Sequence, residues 1–186
     1  NGADNNHDLV NIPGLNSMDY DGSGEEIGFD AIFLNTRDIA SGLSDNVGVT
    51  DNYDDGFTDG DKGYVLLDTD GTIQVKFDPV NVEGFDQVFL SLDWFIQSSN
   101  YEGAVDADDT GNDIFRISIV TDTEDVISIV DVDGDQLEQQ FSSQFGAWTN
   151  LFEEISGIKT AQLIIEVDTN VDSEGIAFDN IQFLGL

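Results

Sequence analysis

Along most of this chain, apolar residues return at every second position over stretches of five to nine residues. In Val88–Ile96, Leu90, Leu92, Trp94 and Ile96 share one face while Ser91 and Asp93 share the other. Successive side chains of a strand point to opposite faces, so this period predicts a half-buried β-strand. Ile73, Val75 and Phe77 alternate in the same way with Thr72, Gln74 and Lys76, and Phe115, Ile117 and Ile119 alternate with Arg116 and Ser118. Strands are also expected from Ile27 to Leu34, at Tyr64–Leu67, Val126–Val130 and Ala161–Val167, and at the end of the chain. Asp68-Thr-Asp-Gly71 is a turn signal that makes 64–67 and 73–77 a hairpin. Leu137–Trp148 is the one stretch that could make a helical turn, and Leu151–Ile155 is ambiguous. Two segments read as loop: the Asn-, Asp-, Gly- and Ser-rich residues 1–26, with at most a short edge strand, and the Asp-rich residues 37–63. Some eight to ten short strands with no long amphipathic helix predict one all-β domain over residues 1–186, a two-sheet antiparallel β-sandwich with jelly-roll topology preferred.

The closing segment breaks the pattern in an informative place. Ile176 and Phe178 are in phase, as are Ile181 and Phe183, but three residues separate Phe178 from Ile181. A β-bulge at Asp179-Asn180 produces that step. It also leaves the Asp179 carboxylate among inward-facing apolar residues, which is costly unless a cation or several donors satisfy it.

Charge sharpens this point. Five Lys and Arg face 39 Asp and Glu, a formal net charge of -34. Such a field repels nucleic acid and anionic membrane surfaces. With 39% hydrophobic residues and 13 Phe, the chain is nonetheless a folding domain. Salt at seawater strength would shorten the screening length to roughly 3 to 5 Å and quiet the self-repulsion, and bound divalent cations would relieve it as well. Among the acids, 29 are Asp and 10 are Glu, and the shorter side chain suits turns and compact oxygen cages. Cysteine is absent, which removes disulfides, thiolate chemistry and zinc-thiolate sites. The polar start NGADNNHD lacks Met, and the chain is expected to be a processed piece of a larger bacterial protein, secreted or on the cell surface.

Calcium takes six to eight oxygens, often carboxylates mixed with turn carbonyls, and three stretches offer them. In VDADDTGND, Asp106, Asp108, Thr110 and Gly111 fall at positions one, three, five and six of an EF-hand loop, but position twelve is Ile117, so a loop site borrowing ligands from elsewhere is the form left open. DVDGDQLE brings Asp131, Asp133, Asp135 and Glu138, and a solvated hairpin turn is the plainer reading. Glu174 stands just upstream of Asp179 and could share an ion with it; a salt bridge or a cap of backbone amides would also satisfy Asp179.

The order LSLDWFIQSSNYEG, an Asp-rich loop leading into NDIFRISIV, then AQLIIEVDTN and EGIAFDNIQF resembles the jelly-roll modules appended to secreted bacterial polysaccharide-degrading enzymes and adhesins. The resemblance spans roughly Gly63 to Phe183. It implies a carbohydrate-binding module with a structural calcium ion held in part by Asp179, and Glu102 and Asp113 are companions by position. A polysaccharide or glycan would then be the partner.

Sugar rings need an aromatic platform with polar groups beside it. Trp94, Trp148, Tyr101, Tyr53 and Tyr64 are the available large aromatics. Trp94 is in phase with core residues and Trp148 reads as packed, so Tyr101 and Tyr53, in polar loops, are the better platforms. Arg116 could bind a sugar hydroxyl or carboxylate, or neutralise neighbouring acids. The sole histidine, His7, lies in the polar N-terminal segment, which leaves little for a catalytic triad. With 39 acids a glycosidase pair can be neither forbidden nor identified. The expected function is therefore a non-catalytic, calcium-stabilised carbohydrate-binding module. A calcium-binding structural or adhesive domain is the alternative, and a polysaccharide lyase or hydrolase a further one.

Overall fold

The computed structural model describes residues 7–9, 16–22, 26–35, 46–53, 55–103 and 112–186; Asp106 and Asp108 lie outside them. In chain order the strands are β1 His7–Leu9, β2 Ser17–Tyr20, β3 Phe29–Phe33, β4 Asn46–Thr50, β5 Gly63–Leu67, β6 Ile73–Phe77, β7 Val80–Asn81, β8 Val88–Ile96, β9 Ile114–Thr121, β10 Val126–Asp133, β11 Trp148–Glu154, β12 Thr160–Asp168 and β13 Gly175–Gly185. A helix, α1 Gly134–Phe141, and a 3-10 turn at Ser142–Gln144 lie between β10 and β11. One sheet has the order β1-β4-β5-β13-β8-β11 and the other β10-β9-β12-β6-β3-β2, with β7 beside β12. All pairings are antiparallel. No helix among the described residues is long and apolar enough to cross a membrane.

The alternation read from the sequence is what holds the two sheets together. Leu90, Leu92 and Trp94 of β8 and Phe115, Ile117 and Ile119 of β9 are buried in one core with Leu163, Ile165 and Val167 of β12. β5 breaks the rule by being buried on both faces. Tyr64 and Leu66 belong to the main core. Val65 and Leu67 join Phe95 and Ala177 in a smaller cluster covered by Tyr53, Phe57 and Trp148.

Four stretches differ from expectation. Residues 64–67 and 73–77 do not form the expected hairpin: β5 pairs with β4 and β13 while β6 pairs with β3 and β12, and the turn with left-handed Asp68 and Asp70 carries the chain from one sheet to the other. Residues 1–26 hold two short edge strands, β1 and β2, where at most one is expected. The presumed loop 37–63 contains β4, whose apolar signal is limited to Val47 and Val49, the latter next to Gly48 at φ 137°. The Asp131–Asp135 stretch is not a turn: β10 runs through Asp133, which then caps α1 by accepting the Gln136 amide, while the Gln136 side chain accepts the Asp133 amide. This reciprocal box satisfies two otherwise unpaired donors.

β13 carries the expected bulge. It pairs β8 up to Asp179↔Asp93 and resumes at Gln182↔Ser91. Asn180 supplies the left-handed turn at φ 50°, a conformation Asn tolerates better than most residues.

Candidate metal centre

Three acids stand at the ends of core strands. Glu102 follows β8, Asp113 immediately precedes β9, and Glu174 immediately precedes β13. Each offers a carboxylate oxygen, and these atoms lie within 4.8 Å of one another. Asp113 is 0% exposed and Glu174 is 2% exposed, while Glu102 opens to solvent.

The main chain fixes this convergence. The Glu102 amide donates to Asp113 Oδ2 at 2.7 Å, and the Asp113 amide donates to the Glu102 carbonyl at 2.9 Å. The Gly134 amide then donates to the Asp113 carbonyl at 3.1 Å, bringing the start of α1 against the pair. A Cβ at position 134 would sit 2.5 Å from the Glu102 carbonyl oxygen, so glycine permits the close approach. On the Glu174 side, Tyr101 is the brace. Its hydroxyl donates to the Gln97 carbonyl at 2.9 Å and accepts from the Gly175 amide at 3.3 Å. Its own amide donates to Glu138 of α1 at 3.0 Å.

Two carboxylate oxygens of the trio, Asp113 Oδ1 and Glu174 Oε2, are buried with no hydrogen-bond partner. Burial pushes the Asp113 carboxyl up to about 8, with the Glu174 and Glu102 charges adding to the rise against the Glu102 amide, which lowers it. Burial likewise pushes Glu174 up to about 7, and the Glu102 charge is the next cause. A buried oxygen with neither donor nor countercharge is costly. A divalent cation removes both deficits at once, and an all-oxygen, carboxylate-rich donor set is the chemistry that calcium takes. The three residues could hold a metal ion.

Neither a family model nor a curated protein sequence matches the chain. Solved structures do resemble it in part. TmCBM61 in complex with beta-1,4-galactotriose aligns over 85% of this chain and 88% of its own, with TM-score 0.47 and 12% identity. An exo-beta-agarase aligns over 83% of this chain, with TM-score 0.49 and 11% identity. The enzymatically active domain of bacteriophage CBA120 tailspike protein 4 aligns over 78%, with TM-score 0.45 and 11% identity. The chain spans only 24% of the agarase and 18% of the tailspike.

Of the acids singled out from the sequence that lie among the described residues, Glu102, Asp113 and Glu174 come together and the others do not. Asp179 does not point into the core as expected: it pairs with Asp93 on the opposite face of the sheet from Phe178 and Trp94, and it is 5% exposed because the segment carrying Thr58 and Asp59 covers it. It accepts the Asp59 amide at 2.7 Å and the Thr58 hydroxyl at 3.3 Å, the cap of donors that was the alternative to a shared ion. Its strand neighbour Asp93 belongs to the same polar patch. Burial opposes the charge on Asp93, but hydrogen bonds from Asn150, Thr58 and Asn180 outweigh it and hold the carboxyl below its ordinary value. Asp131, Asp133 and Asp135 do not converge: Asp131 is exposed and bonded to Arg116, Asp133 caps α1, and Asp135 lies in the first helical turn.

The expected sugar contacts are also engaged elsewhere. Tyr101 is 3% exposed, with its ring edge-on to Phe115 and Phe145, so it is a core brace and not a platform. Tyr53 is half-buried, stacked on Phe57 at 5.6 Å and edge-on to Phe95 and Trp148. Arg116 Nε meets Asp131 at 2.9 Å and its guanidinium approaches Glu166 at 3.8 Å, so it neutralises cross-strand acids. Gly134 was missed from the sequence. Its only signal there was an Asp-Gly pair, which reads as a turn.

Proposed function

We propose that this chain is a non-catalytic, calcium-stabilised carbohydrate-binding module on a jelly-roll sandwich, one part of a larger secreted or cell-surface protein. The observation that carries the reading is the buried Glu102–Asp113–Glu174 trio with its two unpaired oxygens. Calcium there would tie the loop after β8, the entry to β9 and the entry to β13 into one unit. The trio's carboxylates lie within 4.8 Å and two are buried, which suits an ion better than two acids working across a substrate.

The jelly-roll reading is supported by strand order. Eight strands, β5-β13-β8-β11 in one sheet and β6-β12-β9-β10 in the other, pair as two interleaved Greek keys do. The carbohydrate reading is supported by the residue order from Gly63 to Phe183 that resembles such modules. A net charge of -34 favours neutral over acidic polysaccharides.

Retention on immobilised polysaccharides tests the sugar half. Retention on at least one neutral polysaccharide in calcium is expected; no retention on any neutral or acidic polysaccharide, with the protein folded, defeats it. The trio equally supports a structural or adhesive calcium domain, for which calcium raises the melting temperature but no glycan is retained. Release of reducing ends or unsaturated products would move the assignment to a hydrolase or lyase.

A further inference from the structure

At the end of β13 away from Glu174, the six-stranded sheet loses a member. β5 and β13 pair from Gly175↔Leu67 to Phe178↔Tyr64, where β5 begins. Beyond that point β13 is paired with β8 alone. A cavity of about 700 Å³ opens between the sheets here, within the roughly 300–1,000 Å³ range of small-molecule sites.

Its wall is aromatic, formed by Tyr20, Phe29, Tyr64, Phe77 and Phe178. These rings brace one another: Tyr64 stacks on Phe178 at 5.1 Å, Phe29 meets Tyr64 edge-on at 5.3 Å, and Tyr20 stacks on Phe29 at 5.5 Å. Polar groups join the lining from three directions: Glu26 before β3, Asp59 and Lys62 before β5, and Asp179, Asn180 and Gln182 at the bulge. The Tyr64 hydroxyl is buried without a hydrogen-bond partner. A buried phenol is a donor and an acceptor that ordinarily finds a partner.

We infer that this cavity is the glycan subsite and that it receives the neutral terminal residue of a polysaccharide chain. The inference rests on the carbohydrate-binding reading above and names the site and the sugar class. A pyranose offers an apolar ring face to the aromatic wall and hydroxyls to polar groups, including the unpaired Tyr64 hydroxyl. Three carboxylates against one ammonium in the lining disfavour uronic acids and sulfated sugars. Core packing continues beneath the cavity, with Phe77 against Phe178 at 6.2 Å, so a polymer enters end-on and does not thread through.

Isothermal titration of the calcium-loaded chain with neutral oligosaccharides derived from galactan, xylan and agarose, of increasing length, tests this. The expected result is binding of one of these series with an affinity that levels off after one or two residues. Tyr64→Phe should keep the fold, with an unchanged or higher melting temperature, and weaken binding about tenfold, the equivalent of one hydrogen bond. Gln182→Ala, exposed and in the cavity lining, should weaken it a few-fold. The competing surface is the outer face of the same sheet, where Phe89 stacks on Phe152 at 5.0 Å and Phe152 is 53% exposed; Phe152→Ala should leave binding unchanged. Wild-type affinity in both Tyr64→Phe and Gln182→Ala, or affinity that grows steadily with chain length, overturns the cavity while sparing the carbohydrate-binding reading. Absence of binding by the wild type to every neutral sugar overturns both.

Discussion

Glu102 and Asp113 are locked to each other by a reciprocal pair of bonds, the Glu102 amide to Asp113 Oδ2 at 2.7 Å and the Asp113 amide to the Glu102 carbonyl at 2.9 Å. One Asp113 oxygen thus orients the side chain and the other, Oδ1, is left without a partner. Asp113→Asn separates these two jobs. The amide oxygen can still accept from Glu102, but a charge is removed from the trio. The wild type should gain about 2.7 kcal/mol at a hundredfold calcium excess over Kd, and Asp113→Asn should lose most of that gain. In EDTA at neutral pH the variant should melt no lower than the wild type, because a neutral amide replaces a buried carboxyl that must take up a proton for the metal-free chain to fold. Calorimetry with and without calcium reads both outcomes.

The trio also sets a pH dependence with an unusual sign. Asp113 at about 8 and Glu174 at about 7 lie above the unfolded carboxylate values near 4. Between about pH 4 and 8 the folded, metal-free chain therefore holds more protons than the unfolded one, and stability from these groups falls as pH rises. Calcium needs the deprotonated acids, so its stabilising effect should grow over the same window. Melting temperatures in EDTA and in calcium should diverge from pH 5 to pH 8, and Asp113→Asn should narrow the divergence. Parallel curves would contradict the assignment of the ion to these acids.

Asp179 supports a loop. Its carboxylate accepts from Asp59 and Thr58, anchoring the segment that carries Tyr53 and Phe57 over the small outer cluster. Asp179→Ala leaves the Asp59 amide without that acceptor and should cost about 1–3 kcal/mol. The loss should be equal in EDTA and in calcium, whereas a calcium ligand would lose more in calcium.

Gly134→Ala sets two magnitudes against each other. Within a helix, alanine is favoured over glycine by about 1 kcal/mol. Here the new Cβ would lie 2.5 to 2.7 Å from the Glu102 main chain, and overpacking of that kind costs typically 1–3 kcal/mol. The clash should win, lowering both the melting temperature and calcium affinity. A variant that melts higher with wild-type calcium affinity would show that the helix start is free to move.

The sandwich was legible because its core strands alternate with period two, and the break at Asp179-Asn180 revealed the bulge. β4 was hidden because Val47 and Val49 flank a glycine and give too short a signal. Glu102, Asp113 and Glu174 are each legible as acids beside strand ends, but the sequence pattern centres the site on Asp179. A strand pattern shows which residues point inward and not which donors approach from a distant loop, so the Asp59 amide and Thr58 hydroxyl were invisible. Tyr101 failed as a platform for a related reason: polar neighbours in sequence marked it as surface, while Phe115 and Phe145 close over it from elsewhere in the chain.

The trio draws its members from positions 102, 113 and 174. A nascent or nicked polypeptide ending before Glu174 lacks both the third carboxylate and β13, which lies between β5 and β8 in the middle of its sheet. An ion held by the trio would thus act as a clasp that shuts only when all three positions are present, favouring chains that include β13 over those that stop short of it.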